Sequence, residues 1–165
     1  MNDAELIYLD NNATTRPDPR VIEAMIPLYR EKWGNPGSHH RRGDEVAALL
    51  RKARRQVASA FGFSPREVIF TAGGTEADVL ALRGVVLAAD GPRHLVVSSV
   101  EHPAVLTTAE QLQSEGVCEL SRLQVDGEGR VDPAQLQDVL KAHTVLVSVM
   151  SANNETGVIQ PIQEL

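Results

Sequence analysis

The sequence predicts an α/β protein with a mostly parallel sheet flanked by helices. Three observations carry that expectation. From residue 67 onward, short β-prone runs alternate with helical stretches, the order of a parallel sheet joined by right-handed crossovers. Two of the runs, His94–Ser98 and Thr144–Val149, are nearly continuous in apolar residues, as strands covered on both faces are. Hydrophobic residues make up 42% of the 165 positions. A chain of this length can bury roughly 70% of its unfolded surface, so one sizeable core is within reach.

The elements follow in chain order. Leu6-Ile7-Tyr8-Leu9 is a short β-prone run that stops at the turn-forming Asp10-Asn11-Asn12. Asp18-Pro19 reads as N-cap and first helical residue. Val21, Met25 and Leu28 or Tyr29 share one face of the helix that follows. Pro27 lies inside that helix and is expected to kink it or end it early. Gly34-Asn35-Pro36-Gly37-Ser38 is a loop. Val46, Leu49, Leu50, Ala53, Val57 and Ala60 then recur at helical spacing, with Gly62 as C-cap. The outer face of this helix carries Arg41, Arg42, Arg51, Lys52, Arg54 and Arg55. We read it as a solvated face rather than a docking patch.

Glu67-Val68-Ile69-Phe70 is a second strand candidate, followed by Thr71-Ala72-Gly73-Gly74 and a helix from about Thr75 to Ala89. His94–Ser98 is the third strand. A helix from Pro103 ends at Gly116, and Cys118-Glu119-Leu120 begins the fourth strand. Asp126-Gly127-Glu128-Gly129 is a turn, and Asp132-Pro133 caps a helix with Leu136, Val139 and Leu140 on one face. Thr144–Val149 is the last strand, expected buried, and Ser151–Glu155 is a loop. The turn-rich start reads as an arm. This gives an N-terminal segment 1–43 and an α/β segment 44–165.

Composition excludes several classes. The formal charge is −6 and aromatics are 4%, a poor match to the basic footprint of a nucleic-acid binder. One cysteine, Cys118, allows no intramolecular disulfide, and no Cys/His cluster has zinc spacing. No apolar run reaches the ~18 residues that span a bilayer. Met1-Asn2-Asp3-Ala4-Glu5 lacks the basic-then-apolar order of a signal peptide. A cytoplasmic protein without membrane or nucleic-acid partners is the expectation.

In open parallel sheets, ligands bind beyond the carboxyl ends of the strands. Three such ends are polar here: Thr71-Ala72-Gly73-Gly74-Thr75-Glu76, Ser98-Ser99-Val100-Glu101-His102, and Asn153-Asn154-Glu155. The first is a glycine turn opening a helix, whose free N–H groups and positive dipole end suit a phosphate. It is neither a P-loop nor a dinucleotide fingerprint. A plain tight turn with Thr75 as N-cap explains it equally well. His102 alone reads as a helix cap or surface residue, and Asn154 alone as a loop asparagine. Their convergence on neighbouring strand ends suits a flat, phosphorylated cofactor.

Five segments, in order, resemble the cysteine desulfurases, pyridoxal-phosphate enzymes of the class-V aminotransferase superfamily and of fold type I. They are Tyr8–Thr15, Gly34–Gly43 with its Asn-Pro-x-Ser-x-His-x-x-Gly loop, Phe70–Asp78, Glu101–Val105 and Asn153–Gly157. The resemblance implies the large domain of that fold, truncated, with an N-terminal arm. It implies that Gly74 and Thr75 hold the cofactor phosphate. His102 would stack on the pyridine ring and assist proton transfer, and Asn154 would hydrogen-bond the phenolic oxygen. The implied activity takes sulfur from L-cysteine, leaving alanine and a persulfide on an enzyme cysteine. The sulfur then passes to iron–sulfur clusters or thiolated cofactors through an acceptor or scaffold protein. A homodimer is implied as well. Val79 and Arg83 depart mildly from the family, which usually has Asn and often Lys there.

The family's cofactor-linked lysine lies in a Ser-x-His-Lys segment. Lys32, Lys52 and Lys141 are the chain's three lysines, and none lies in such a segment. We read all three as surface residues and Cys118 as a buried structural thiol. The persulfide cysteine, the carboxylate for the pyridine nitrogen and the substrate-gripping arginine come later in the family's chains. The sequence therefore resembles the N-terminal part of a desulfurase, holding about half the cofactor site and inactive alone. It would be a fragment, a split enzyme completed by another chain, or a non-catalytic dimerisation or docking module. A selenocysteine lyase is the enzymatic rival. An exposed sheet edge would make the isolated chain aggregation-prone.

Overall fold

The computed structural model describes residues 7–165. Two compact units meet in sequence after Phe70.

In the first unit, α1 (Pro19–Glu31) starts where Asp18 accepts from the Arg20 N–H at 2.8 Å. Pro27 does not end the helix early, and the helix runs on to Glu31. A proline removes one N–H bond, and in a helix with no buried residue the orphaned carbonyl can meet water. Val21, Ile22, Met25, Ile26, Leu28 and Tyr29 are all exposed. α2 (Arg41–Phe61) starts earlier than the apolar spacing indicates, because the His40 ring accepts from the Gly43 N–H at 3.2 Å. Gly62, in left-handed geometry at φ 73°, ends it as expected. Gly43 is required by proximity, since a Cβ there would stand 2.1 Å from the Ser38 carbonyl oxygen.

The arginine face of α2 is only partly a solvated one. Arg42 donates to the Glu31 carbonyl at 2.7 Å and lies over the Trp33 ring, and Arg54 lies over Phe70. Two expected strands do not form. Leu6 lies outside the described residues, and 7–10 are irregular. Residues 65–67 are a short 3-10 turn capped by Ser64, and 68–70 are unpaired. A strand exists only by its ladder, and no described strand pairs with either segment.

The second unit is a three-layer α/β sandwich. α3 (Gly74–Ala88), β1 (His94–Ser98), α4 (Pro103–Ser114), β2 (Glu119–Leu123), α5 (Pro133–Val139) and β3 (Thr144–Ser148) follow one another. The sheet is parallel in the order β2-β1-β3. All five residues of β1 are buried because it is the central strand. β3 was expected buried, yet every residue is only half-buried, since it has a neighbour on one side alone. One face of the sheet packs Leu95 and Val97 against Leu82 and Val86 of α3 and Val105, Ala109 and Leu112 of α4. The other packs Val96 and Leu123 against Val131 and Leu136. Cys118 is buried in the first cluster, and burial pushes its thiol pKa up.

The topology has one consequence for function. The chain moves outward from β1 to β2, then returns across β1 to place β3 on its other side. That reversal opens a crevice between the carboxyl ends of β1 and β3, where ligands bind in such sheets.

Candidate functional site

The α3 N-terminus is built to leave its first N–H groups open. Gly73, the N-cap, has no side-chain oxygen to offer them. Thr75 is not the cap; it lies inside the helix and is exposed. Ala77 closes the first helical bond onto the Gly73 carbonyl at 3.1 Å, and Glu76 reaches back to the Ala72 N–H at 2.6 Å. Among the described residues no partner meets the N–H groups of Gly74, Thr75 and Glu76. The space where a Cβ would stand at Gly73 or Gly74 is open. At φ 177° Gly73 is in extended backbone that any residue adopts, so its contribution is room rather than conformation.

His102 caps the facing helix. Its Nδ1 accepts from the Ala104 N–H at 3.1 Å at the start of α4. The cap reading is therefore right, and it has a chemical corollary. With Nδ1 accepting, the neutral ring carries its proton on Nε2.

A cavity of about 410 Å3 opens between the first turns of α3 and α4, lined by Thr75, Val79, His102, Pro103, Ala104, Thr107, Thr108 and Gln111. A second, of about 430 Å3, runs between α3 and β3 and includes Asp78, Leu82, Val85, Glu101, His102 and the stretch from Leu146 to Met150. His102 belongs to both walls. Either volume is of the size that holds a small cofactor. Thr75 and His102 are thus brought together. Gly74 sits beside Thr75 at the helix start, outside the lining itself. Asn154 is exposed on the loop after β3 and lines neither cavity; its amide donates to Glu155 Oε1 at 3.3 Å.

Val79 and Glu101 carry more than their sequence context suggests. Val79 gives the first cavity an apolar wall. Arg83 is no site residue, since it ion-pairs with Glu115 of the α4 C-cap at 3.0 Å. Glu101 is 7% exposed and accepts from Ser98 Oγ and the Met150 N–H, both at 2.6 Å. The available signal is a carboxyl three residues after a strand-end serine, which reads equally as a solvent-facing loop residue.

Lys141 stands apart from this chemistry. Lys141 pairs with Glu119, at the amino ends of β3 and β2, the edge of the sheet opposite the crevice. Lys32 is the C-cap of α1, and Lys52 is exposed on α2. No group of side chains that could hold a metal occurs among the described residues. No described helix is long and apolar enough to cross a membrane.

Comparison with known proteins decides the lineage. The family model for aminotransferase class-V matches residues 7–165. The chain belongs to the class-V aminotransferase family. Within it, the chain is 44% identical over 160 residues to a cysteine desulfurase of Trichormus azollae, covering 97% of this chain and 40% of that protein. It is 46% identical over 162 residues to the putative cysteine desulfurase IscS 1 of Bacillus subtilis, covering 98% and 42%. A solved NifS-like protein superposes with a TM-score of 0.90 at 42% identity, covering 96% of this chain and 43% of that one. A structure described as SspA in complex with cysteine gives 0.88 at 30% identity. The chain thus spans about two-fifths of the relatives it matches.

Class-V aminotransferases use pyridoxal phosphate, and the residues present fit it. Three unpartnered N–H groups at a helix start and a hydroxyl suit a phosphate. The adjoining cavity, with an imidazole on one wall and Val79 on another, suits a flat aromatic ring.

Proposed function

We propose that this chain supplies the phosphate- and ring-holding part of a pyridoxal-phosphate-dependent cysteine desulfurase. The observation that carries the reading is the α3–α4 junction, where Thr75 and His102 wall one cavity beside three unpartnered N–H groups. Bound there, pyridoxal phosphate supplies an electron sink that no protein side chain offers.

The chain's own residues do the rest. The start of the 15-residue α3 binds the phosphate dianion through Gly74, Thr75 and Glu76 N–H groups, aided by the Thr75 hydroxyl and the helix dipole. His102 would lie against the ring and hold or pass a proton at Nε2, the nitrogen its cap bond leaves available. Asn154, whose amide donates to Glu155 here, would turn that amide to the phenolic oxygen. L-cysteine is the substrate, and its sulfur leaves as a persulfide on a cysteine other than Cys118. A buried thiol with a raised pKa is a poor nucleophile. The cofactor-linked lysine comes from outside these 165 residues. Homodimerisation, cytoplasmic location and delivery of sulfur to an acceptor or iron–sulfur scaffold protein complete the proposal.

The test is a pyridoxal phosphate titration of the chain and its variants, followed by cofactor absorbance and 31P NMR. Thr75→Val removes one hydroxyl at constant shape, and His102→Ala removes the ring. Each is expected to weaken binding about tenfold, the scale of one lost charge-assisted hydrogen bond. Equal affinity in both variants would move the site elsewhere.

A further inference from the structure

We infer that Glu101 and Asn153 are positioning residues that brace the crevice between β1 and β3 and so fix His102 and Asn154 relative to each other. The inference rests on the cofactor reading above.

The residues come from two segments that share no covalent neighbourhood. His102 follows β1, and Asn154 follows β3. Nothing in the local backbone of either loop sets the distance between them, yet a ring held by one and hydrogen-bonded by the other needs that distance fixed. Sites that work this way hold their groups to about half an ångström through second contacts.

Two ties cross the crevice. The first is Glu101. Its Oε1 accepts from Ser98 Oγ at the end of β1 and from the Met150 N–H just past β3, both at 2.6 Å. Its Oε2 lies 3.4 Å from Ser148 Oγ, the last residue of β3. The carboxyl is buried, so water competes poorly for these donors. The second tie is Asn153. Its Nδ2 donates to the Val100 carbonyl at 3.1 Å, two residues before His102. Its Oδ1 meanwhile accepts from the Glu155 and Thr156 N–H groups, both at 2.9 Å. One asparagine therefore folds the loop that carries Asn154 and docks it on the turn that carries His102.

The arrangement is fuller than strand pairing requires. The β1–β3 ladder ends at Val97 and Ser148, so the bonds to Met150 and Val100 lie beyond it, where the sheet alone would let the loops diverge. Each tie is immediately adjacent in sequence to the residue it would position, Glu101 to His102 and Asn153 to Asn154.

Glu101→Gln keeps an acceptor for the Met150 N–H, whereas Glu101→Ala leaves that group and two hydroxyls unpaired. Asn153→Asp keeps the loop's acceptor but loses the donor to Val100. The variants are compared first without cofactor, by the NMR positions of the His102 ring and the Asn154 side-chain amide. They are then compared by affinity for pyridoxal phosphate and by the visible circular dichroism of the bound cofactor. Glu101→Ala and Asn153→Asp are expected to shift both side chains, weaken binding about tenfold and change the dichroism, with Glu101→Gln restoring all three. If Glu101→Ala unfolds the chain, Asn153→Asp decides. Unmoved His102 and Asn154 signals in Asn153→Asp overturn the brace. Absence of cofactor binding in every sample, with the signals moving as stated, overturns the cofactor reading and leaves the brace standing.

Discussion

Gly73→Ala separates folding from binding. Gly73 has extended backbone and a Cβ there meets nothing within 4 Å, so alanine fits without strain. Alanine is a poorer N-cap than glycine, which costs up to about 1 kcal/mol. It also restricts the unfolded chain, which returns about 0.4–1 kcal/mol. The two nearly cancel, and stability should change by less than about 1 kcal/mol. Binding should not be spared. The new methyl stands in the open space beside the Gly74, Thr75 and Glu76 N–H groups, where a phosphate must come within about 3 Å of nitrogen. Losing one or two charge-assisted hydrogen bonds costs about 1.5–3 kcal/mol each, so affinity for pyridoxal phosphate should fall at least tenfold. Urea unfolding measures the first quantity and cofactor titration the second. Unchanged affinity at unchanged stability would refute the phosphate assignment.

Other consequences follow from the fold. His94 is fully buried, with Nδ1 2.8 Å from Thr144 Oγ1 and Nε2 2.9 Å from Ser121 Oγ. Burial, then Lys141, lowers its pKa below 6.5. The unfolded chain therefore takes up the proton first, and stability should fall as pH drops below about 6.5; the urea midpoint of His94→Gln should lack that part of the slope. Gly43→Ala gains helix propensity of up to about 1 kcal/mol. It nevertheless sets a methyl 2.1 Å from the Ser38 carbonyl oxygen, so the melting temperature should fall, and a rise would contradict the loop geometry. Leu95→Ala empties the centre of the larger core and should cost about 2–5 kcal/mol in chemical denaturation, which a surface residue would not.

What could be read from the sequence was what local chemistry decides. Asp18-Pro19 and Asp132-Pro133 cap their helices, Gly62 ends α2, and β1, apolar from Leu95 to Val97, is buried along its whole length. Elements that depend on a distant partner were not legible. Glu67–Phe70 has strand composition but no ladder here, and β3 has core composition but only one neighbour. Pro27 signals an early end that a solvated helix need not make. The site divides along the same line. The glycine turn and the His102 cap are local and visible, whereas Glu101 takes a hydrogen bond from the Met150 N–H, 49 residues away. The crevice itself exists only because β3 returns past β1.

The measurement that bears most directly on the central claim is borohydride reduction of the chain with pyridoxal phosphate, followed by peptide mass mapping. The account predicts saturable binding that His102→Ala weakens, with no lysine labelled. It also predicts no alanine from L-cysteine on the same sample. Stoichiometric labelling of Lys32, Lys52 or Lys141, with alanine formed, would contradict it.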